Sequence, residues 1–481
     1  MRKNKVLALV LTAVMTLGLV SCGSEAAPAA ETKTEEAAPA TTEAEAPAAT
    51  EEPAEEAAPD TITIMVPPVT ADYADMLATW IADFNKDYPN ITVEVIPTSW
   101  DEHTEKLSTM AQAGEAPDIA EVSYSAIGTY VDMGVAVNVA DYIDLSDYDQ
   151  NALDYMTLDN TVYGLPLYLT IQALGGNKEL MEAAGIDVEA VQKNGWKYED
   201  FMKYIEKGTT KDCFGFVFAN SGVTTADFVS IFGVGAGITS NFTKDLKYAY
   251  TSENMLNLLK AVEEMTKSGY MPNYAVEAGQ RLVMLECGQT MITGKAMPLF
   301  EGSVNKNNAG IADGTAAEGS VEVQYVFLPV PTMENVKESC FGSVDGMIVL
   351  KNSKSDDAHL KNVCTFLDYI CSGDRVAATD NQLYLSCVCK SGREAQAGAT
   401  LDQTEGNAAA TERCISLVQA PPTGITAEQA ANAKTIMDEV IVPKFQALIA
   451  GETTAEDMFE AVKSEAFDLL GEDNCETGFI K

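Results

Sequence analysis

The chain has 481 residues, with 31 Lys and Arg against 72 Asp and Glu, a formal net charge of −41 at pH 7. That balance excludes a nucleic-acid partner, whose phosphates require a basic face, and it excludes adsorption onto anionic lipid by charge alone. The length predicts two or three domains or one large two-lobed body, with enough apolar residues for a sizeable core.

The N-terminus carries a cationic start (Arg2, Lys3, Lys5), an apolar run over 6–20 and small residues before Cys22. This is the three-part layout of a secretory signal. The run is about 15 residues, short for a bilayer span. The pattern resembles the lipobox of bacterial lipoproteins. The resemblance implies that 1–21 is a signal peptide and that Cys22 becomes the lipid-modified N-terminus; the plainer alternative is an ordinary cleaved signal. Residues 23–59 hold ten Glu and one Lys among Ala, Pro and Thr. Such a segment buries too little apolar surface to offset its ordering entropy. With Cys22 it is expected to be a disordered acidic tether, extended by self-repulsion to more than roughly 35 Å.

The folded part begins with alternating, β-branched Thr61-Ile62-Thr63-Ile64-Met65-Val66, which predicts a strand ended by Pro67-Pro68. Tyr73, Met76, Leu77, Trp80, Ile81 and Phe84 then form one apolar helical stripe, and Trp80 is expected in the core. A second strand is predicted over 91–96, a helix over 102–113 and a third strand over 118–122. This β-α-β-α-β order defines an α/β fold, and ligands on such sheets bind beyond the carboxyl ends of the strands. Those ends are 67–70, 97–100 and 123–125. Helices are predicted over 177–184, 198–206, 254–267, 358–370, 427–449 and 455–470, the last with Thr454 and Asp457 at capping-box spacing. Strands are predicted over 289–292 and 321–328.

Beyond Cys22 there are nine cysteines, an odd number with no disulfide framework in their spacing, so most are expected to be buried thiols. The Gly233-x-Gly235-x-Gly237 run lacks the dinucleotide-loop context, and neither His103 nor His359 lies in a metal-ligand pattern. Asp141, Asp144, Asp147, Asp149 and Asp154 lack calcium-loop spacing and read as a solvated face. No cofactor is implied. Carboxylates are too numerous for counting to identify a glycosidase pair.

The order of five stretches resembles the extracellular solute-binding proteins of ABC importers, in the cluster that binds sugars and oligosaccharides. They are 80–95 with its Tyr88-Pro89-Asn90 turn; 106–119 with Gly114-Glu115-Ala116-Pro117-Asp118; 162–186 with Tyr163-Gly164-Leu165-Pro166; the helix start at Trp196 to Phe201; and Gly451 to Asp457. The resemblance implies a two-lobed fold, each lobe a mostly parallel sheet flanked by helices. Lobe one would be 60–167 plus 327–374, and lobe two 168–326 plus 375–481. It implies capture of a carbohydrate in the interlobe cleft without catalysis, delivery to ABC permease subunits, membrane attachment through the lipid alone, and a monomer.

Sugars present apolar ring faces and many hydroxyls, so aromatic platforms beside fixed polar groups are sought. Tyr168 and Thr170 at the lobe crossing are candidates, Tyr168 to stack and Thr170 to hydrogen-bond, with Gln172 beside them; hinge packing is the alternative. Tyr124 and Ser125 follow the third strand and Trp100 the second. Asp345 could accept hydroxyls. Relatives often carry a tryptophan after the strand ending in Thr293-Gly294, whereas this chain has Lys295-Ala296-Met297. Lys295 could meet an anionic group or simply be solvated. Trp196 is expected in the core. The alternatives are a binder of another small polar solute, a surface carbohydrate-processing enzyme, or a sensor component.

Overall fold

The computed structural model describes residues 58–480 apart from 222, 223, 400 and 402. The expected signal, Cys22 and all but the last two residues of the expected tether lie outside the described residues.

Among the described residues there are ten strands: β1 Asp60–Met65, β2 Ile91–Ile96, β3 Ile119–Ser123, β4 Thr157–Leu158, β5 Thr161–Val162, β6 Gly164–Asn177, β7 Phe214–Val217, β8 Thr290–Ala296, β9 Tyr325–Leu328 and β10 Phe341–Val349. β4 and β5 form a small separate hairpin; the others run in the order β2-β1-β3-β10-β6-β8-β7, with β9 also paired to β6. The alternation in β1 buries Ile62 and Ile64 completely, and the helix Tyr73–Asp87 buries Tyr73, Leu77 and Phe84 along one stripe. Trp80 is half-buried, edge-on to Tyr73 at 5.8 Å.

β6 connects the two halves of this sheet. Residues 164–172 pair with β10, and 173–177 pair with β8 and β9. All but one of its residues are buried, because it is a sheet strand in both halves. Only β1/β2, β1/β3 and β7/β8 are parallel; every ladder made by β6, β9 and β10 that reaches these strands is antiparallel. The sheet is therefore mixed rather than mostly parallel, since the crossing strands run back between the halves. The result is an α/β molecule of two lobes joined by long strands.

Several elements differ from their sequence expectation. The predicted helix 427–449 is interrupted: Ala427–Ile436 and Val442–Ala450 flank a π turn at Met437–Ile441. Pro443 lacks an N–H and its ring crowds the preceding turn, which accounts for the change of winding. In 321–328 only Tyr325–Leu328 is strand, and Val321 is exposed. The acidic run is not simply solvated. Asp147 accepts from the Ser391 amide and hydroxyl, and Asp149 forms a two-pronged ion pair with Arg393 at 2.6 and 2.9 Å, tying the helix Lys390–Gln396 to this segment. Thr454 caps the helix Ala455–Leu470 by accepting from the Asp457 amide. Trp196 is buried, donates to the Pro329 carbonyl at 2.8 Å and packs edge-on against Phe201. The nine described cysteines are free, seven of them buried.

Candidate functional site

Strand register brings the polar candidates together. Asp345 on β10 lies opposite Ser123 on β3 and Tyr168 on β6; Ser343 lies opposite Thr170, and Phe341 opposite Gln172. Opposed residues of an antiparallel pair share a face, as do residues two apart on a strand. Glu121, Ser123, Asp345, Tyr168, Ser343, Thr170 and Gln172 thus make one polar stripe across three strands, at the carboxyl end of β3. A bulge in the β6/β10 ladder falls at Asp345/Gly346, where the extra β6 residue is Leu167. Such bulges re-aim side chains and are enriched beside functional sites.

Asp345 is half-buried and is the hub of the stripe. Burial pushes its carboxyl up to about 6, against hydrogen bonds from the Tyr168 and Ser123 hydroxyls and the charge of Lys295; Asp227 adds to the rise. Burial likewise raises Glu121 well above the usual carboxylate range, reinforced by Asp345. Glu121 is 2% exposed, and its Oε1 has no hydrogen-bond partner within the protein. His103 Nε2 contacts the Glu121 carbonyl at 2.7 Å and its carboxylate at 3.5 Å; burial lowers the affinity of this imidazole for a proton.

Tyr168 is 5% exposed and spends its hydroxyl on Asp345. Thr170 is buried beside it, and Gln172 is half-buried with Oε1 unpartnered. Tyr124 is half-buried, edge-on to Tyr155 at 5.0 Å, and close enough to Tyr250 of the other half for that phenol to raise it further beyond the effect of burial. Ser125 is exposed. Lys295 ion-pairs with Asp227, so the anionic partner considered for it is supplied by the chain itself.

Trp100 is 48% exposed, with its indole N–H donating to the Pro68 carbonyl at 2.9 Å. Pro68 to Ala71, the loop after β1, line an open cavity of about 560 Å³ that is also bordered by Leu299, Ser303, Lys306 and Gln382 to Tyr384. The buried Thr70 hydroxyl there has no partner within the protein. The volume suits a small molecule, and the lining mixes apolar walls with a few polar groups. Trp100 and the Pro68 loop are thus one group, and the Asp345 stripe is another.

Asp227, Arg281 and Glu121 belong to this region and were not anticipated. A lone acid inside the apolar strand Ile119-Ala120-Glu121-Val122 is a readable signal for Glu121. Asp227 and Arg281 lie on helices Thr224–Gly233 and Ala278–Glu286, where only the tertiary fold brings them to β8. Among the described residues, no three His, Cys, Asp or Glu are grouped to hold a metal ion.

Long strands join the two lobes, and the polar groups of the stripe collect where those strands cross. Residues 79–391 match the family model described as bacterial extracellular solute-binding protein, and the chain belongs to that family. It is 24% identical over 312 residues to a protein of Brucella abortus described as a binding protein, covering 63% of this chain and 70% of that one. It is 22% identical over 315 residues to the maltodextrin-binding protein MdxE of Bacillus subtilis, covering 62% and 66%. Among solved structures, an ABC substrate-binding protein of Listeria monocytogenes in complex with cycloalternan superposes with a TM-score of 0.65 at 18% identity, over 86% of this chain and 99% of that one.

Proposed function

We propose that this chain is a membrane-anchored extracellular receptor that captures a sugar or oligosaccharide in the interlobe cleft and hands it to an ABC permease. The polar stripe centred on Asp345 carries the reading. It places hydroxyl-pairing groups on the strands that cross between the lobes, where closure would bury a ligand. Tyr168 serves there by orienting Asp345, and Trp100 offers an exposed ring beside the Pro68 loop. Relatives named for maltodextrin and arabinooligosaccharide binding support a carbohydrate cargo. The anchor is the lipid on Cys22, since a surface this acidic gains nothing from anionic lipid. Catalysis has no part in it.

A thermal-shift screen of the full-length protein against mono- and oligosaccharides tests this. A true ligand stabilises by about 2.7 kcal/mol at one hundred times its dissociation constant. Absence of any shift across the panel would contradict a carbohydrate cargo.

A further inference from the structure

At the end of β8 the ladder with β6 slips: Ala173 faces Ala296, but Leu174 faces Gly294. Lys295 is the extra residue of a β-bulge, and its φ of +49° is left-handed, a conformation costly for a lysine. The bulge is held from beneath. Arg281, 4% exposed, donates from Nε to the Gly294 carbonyl and from Nη2 to the Lys295 carbonyl, each at 2.9 Å, and its guanidinium lies 5.2 Å over the Phe300 ring. Gly294 is equally constrained, because an added Cβ would fall 1.8 Å from the Phe218 ring. The bulge turns the Lys295 ammonium onto Asp227, and both side chains stay partly open, at 20% and 27% exposure. Asp345 feels the charge of both.

We propose that the Lys295 bulge is the specificity-determining element of this cleft, presenting Lys295 and Asp227 as a joined donor and acceptor to two adjacent hydroxyls of an uncharged sugar, opposite Asp345. The inference rests on the carbohydrate reading above. The charge balance selects the class. Lys295 and Arg281 offset Asp227 and Asp345, so the charges of these four side chains sum to zero. A uronic acid would meet Asp227 and Asp345, and an amino sugar would have to displace Lys295. A neutral diol can bond Nζ and the carboxylate together without breaking their attraction. Arg281 is a positioning residue, acting through the Lys295 carbonyl.

Titration calorimetry on the full-length protein tests this with maltotriose, arabinotriose, trigalacturonate and the trimer of glucosamine. Wild type is expected to bind a neutral trimer at least about tenfold more tightly than either charged one, since one misplaced charge-assisted hydrogen bond is worth that much. Lys295→Gly relieves the strained φ and deletes the donor, so it should raise Tm while weakening the neutral sugar about tenfold. Asp227→Asn should weaken it similarly, and Arg281→Lys should retain more affinity than Arg281→Met. A role in packing alone would move stability and affinity together. Preferred binding of a charged trimer, or unchanged neutral affinity in both Lys295→Gly and Asp227→Asn, would overturn the proposal and leave the carbohydrate reading standing. Binding of none of the four would overturn both.

Discussion

Asp345 and His359 hold their protons for opposite reasons, and each makes a pH-dependent statement about stability. Asp345 is raised to about 6 by burial, so the folded protein binds a proton that the unfolded chain releases near 4. That contribution is present at low pH and lost as pH rises through about 6. Asp345→Asn, which keeps an acceptor for Tyr168, should therefore be more stable than wild type at pH 8, by up to about 3 kcal/mol, and lose that advantage at pH 5. Denaturant titrations at the two pH values check it. His359 lies at the opposite pole, where its Nδ1 meets Asp60 at 2.8 Å and its Nε2 meets Asp118 at 3.0 Å. Burial opposes its charge, but the two carboxylates outweigh burial and raise its proton affinity. Its stabilisation is complete below about 6.5 and fades as pH rises through the folded value. His359→Gln should cost about 2 kcal/mol at pH 6 and less at pH 9. Much of this was hidden in the sequence: Asp60, Asp118 and His359 are far apart along the chain, and no local spacing announces their meeting.

Among the elements, those with strong local periodicity were readable and those defined by partners were not. β1, β2 and the helix Tyr73–Asp87 follow from alternation and a single apolar stripe. β6 does not: Gly164-Leu165-Pro166 opens it and Gly175-Gly176 closes it, residues that weaken strand preference, and it exists because β10, β8 and β9 pair with it. Lys295 was legible as a departure from its relatives, but its bulge and its bond to Asp227 depend on register and on helices distant in sequence. Tyr168 was legible as a crossing-strand residue, yet its burial follows from the sheet continuing on both sides. The bulge also gives an element-level test. Gly294→Ala places a methyl against Phe218, and overpacking of this kind costs about 1–3 kcal/mol; a thermal melt should show the loss.

At the scale of the whole molecule, the chain divides its tasks by position. In the function proposed above, Cys22 and the acidic segment after it serve attachment, and the folded body with its polar stripe serves capture. Cys22→Ser should move the protein from the membrane fraction to the soluble fraction without changing ligand affinity, since the site shares no residue with the tether. Fractionation of expressing cells beside calorimetry measures both. The family identity and the two-lobed fold were already legible in the order of weak motifs, because that order preserves the sequence of strands and crossings; the ligand was not, because the polar groups proposed to meet it are brought together from β3, β6, β8 and β10. The most direct measurement is equilibrium titration of a panel of neutral oligosaccharides, followed by mass spectrometry of the recovered sugar. The account predicts saturable binding of one sugar per chain, returned intact. Recovery of a cleaved sugar, or no binding by any member of the panel, would contradict it.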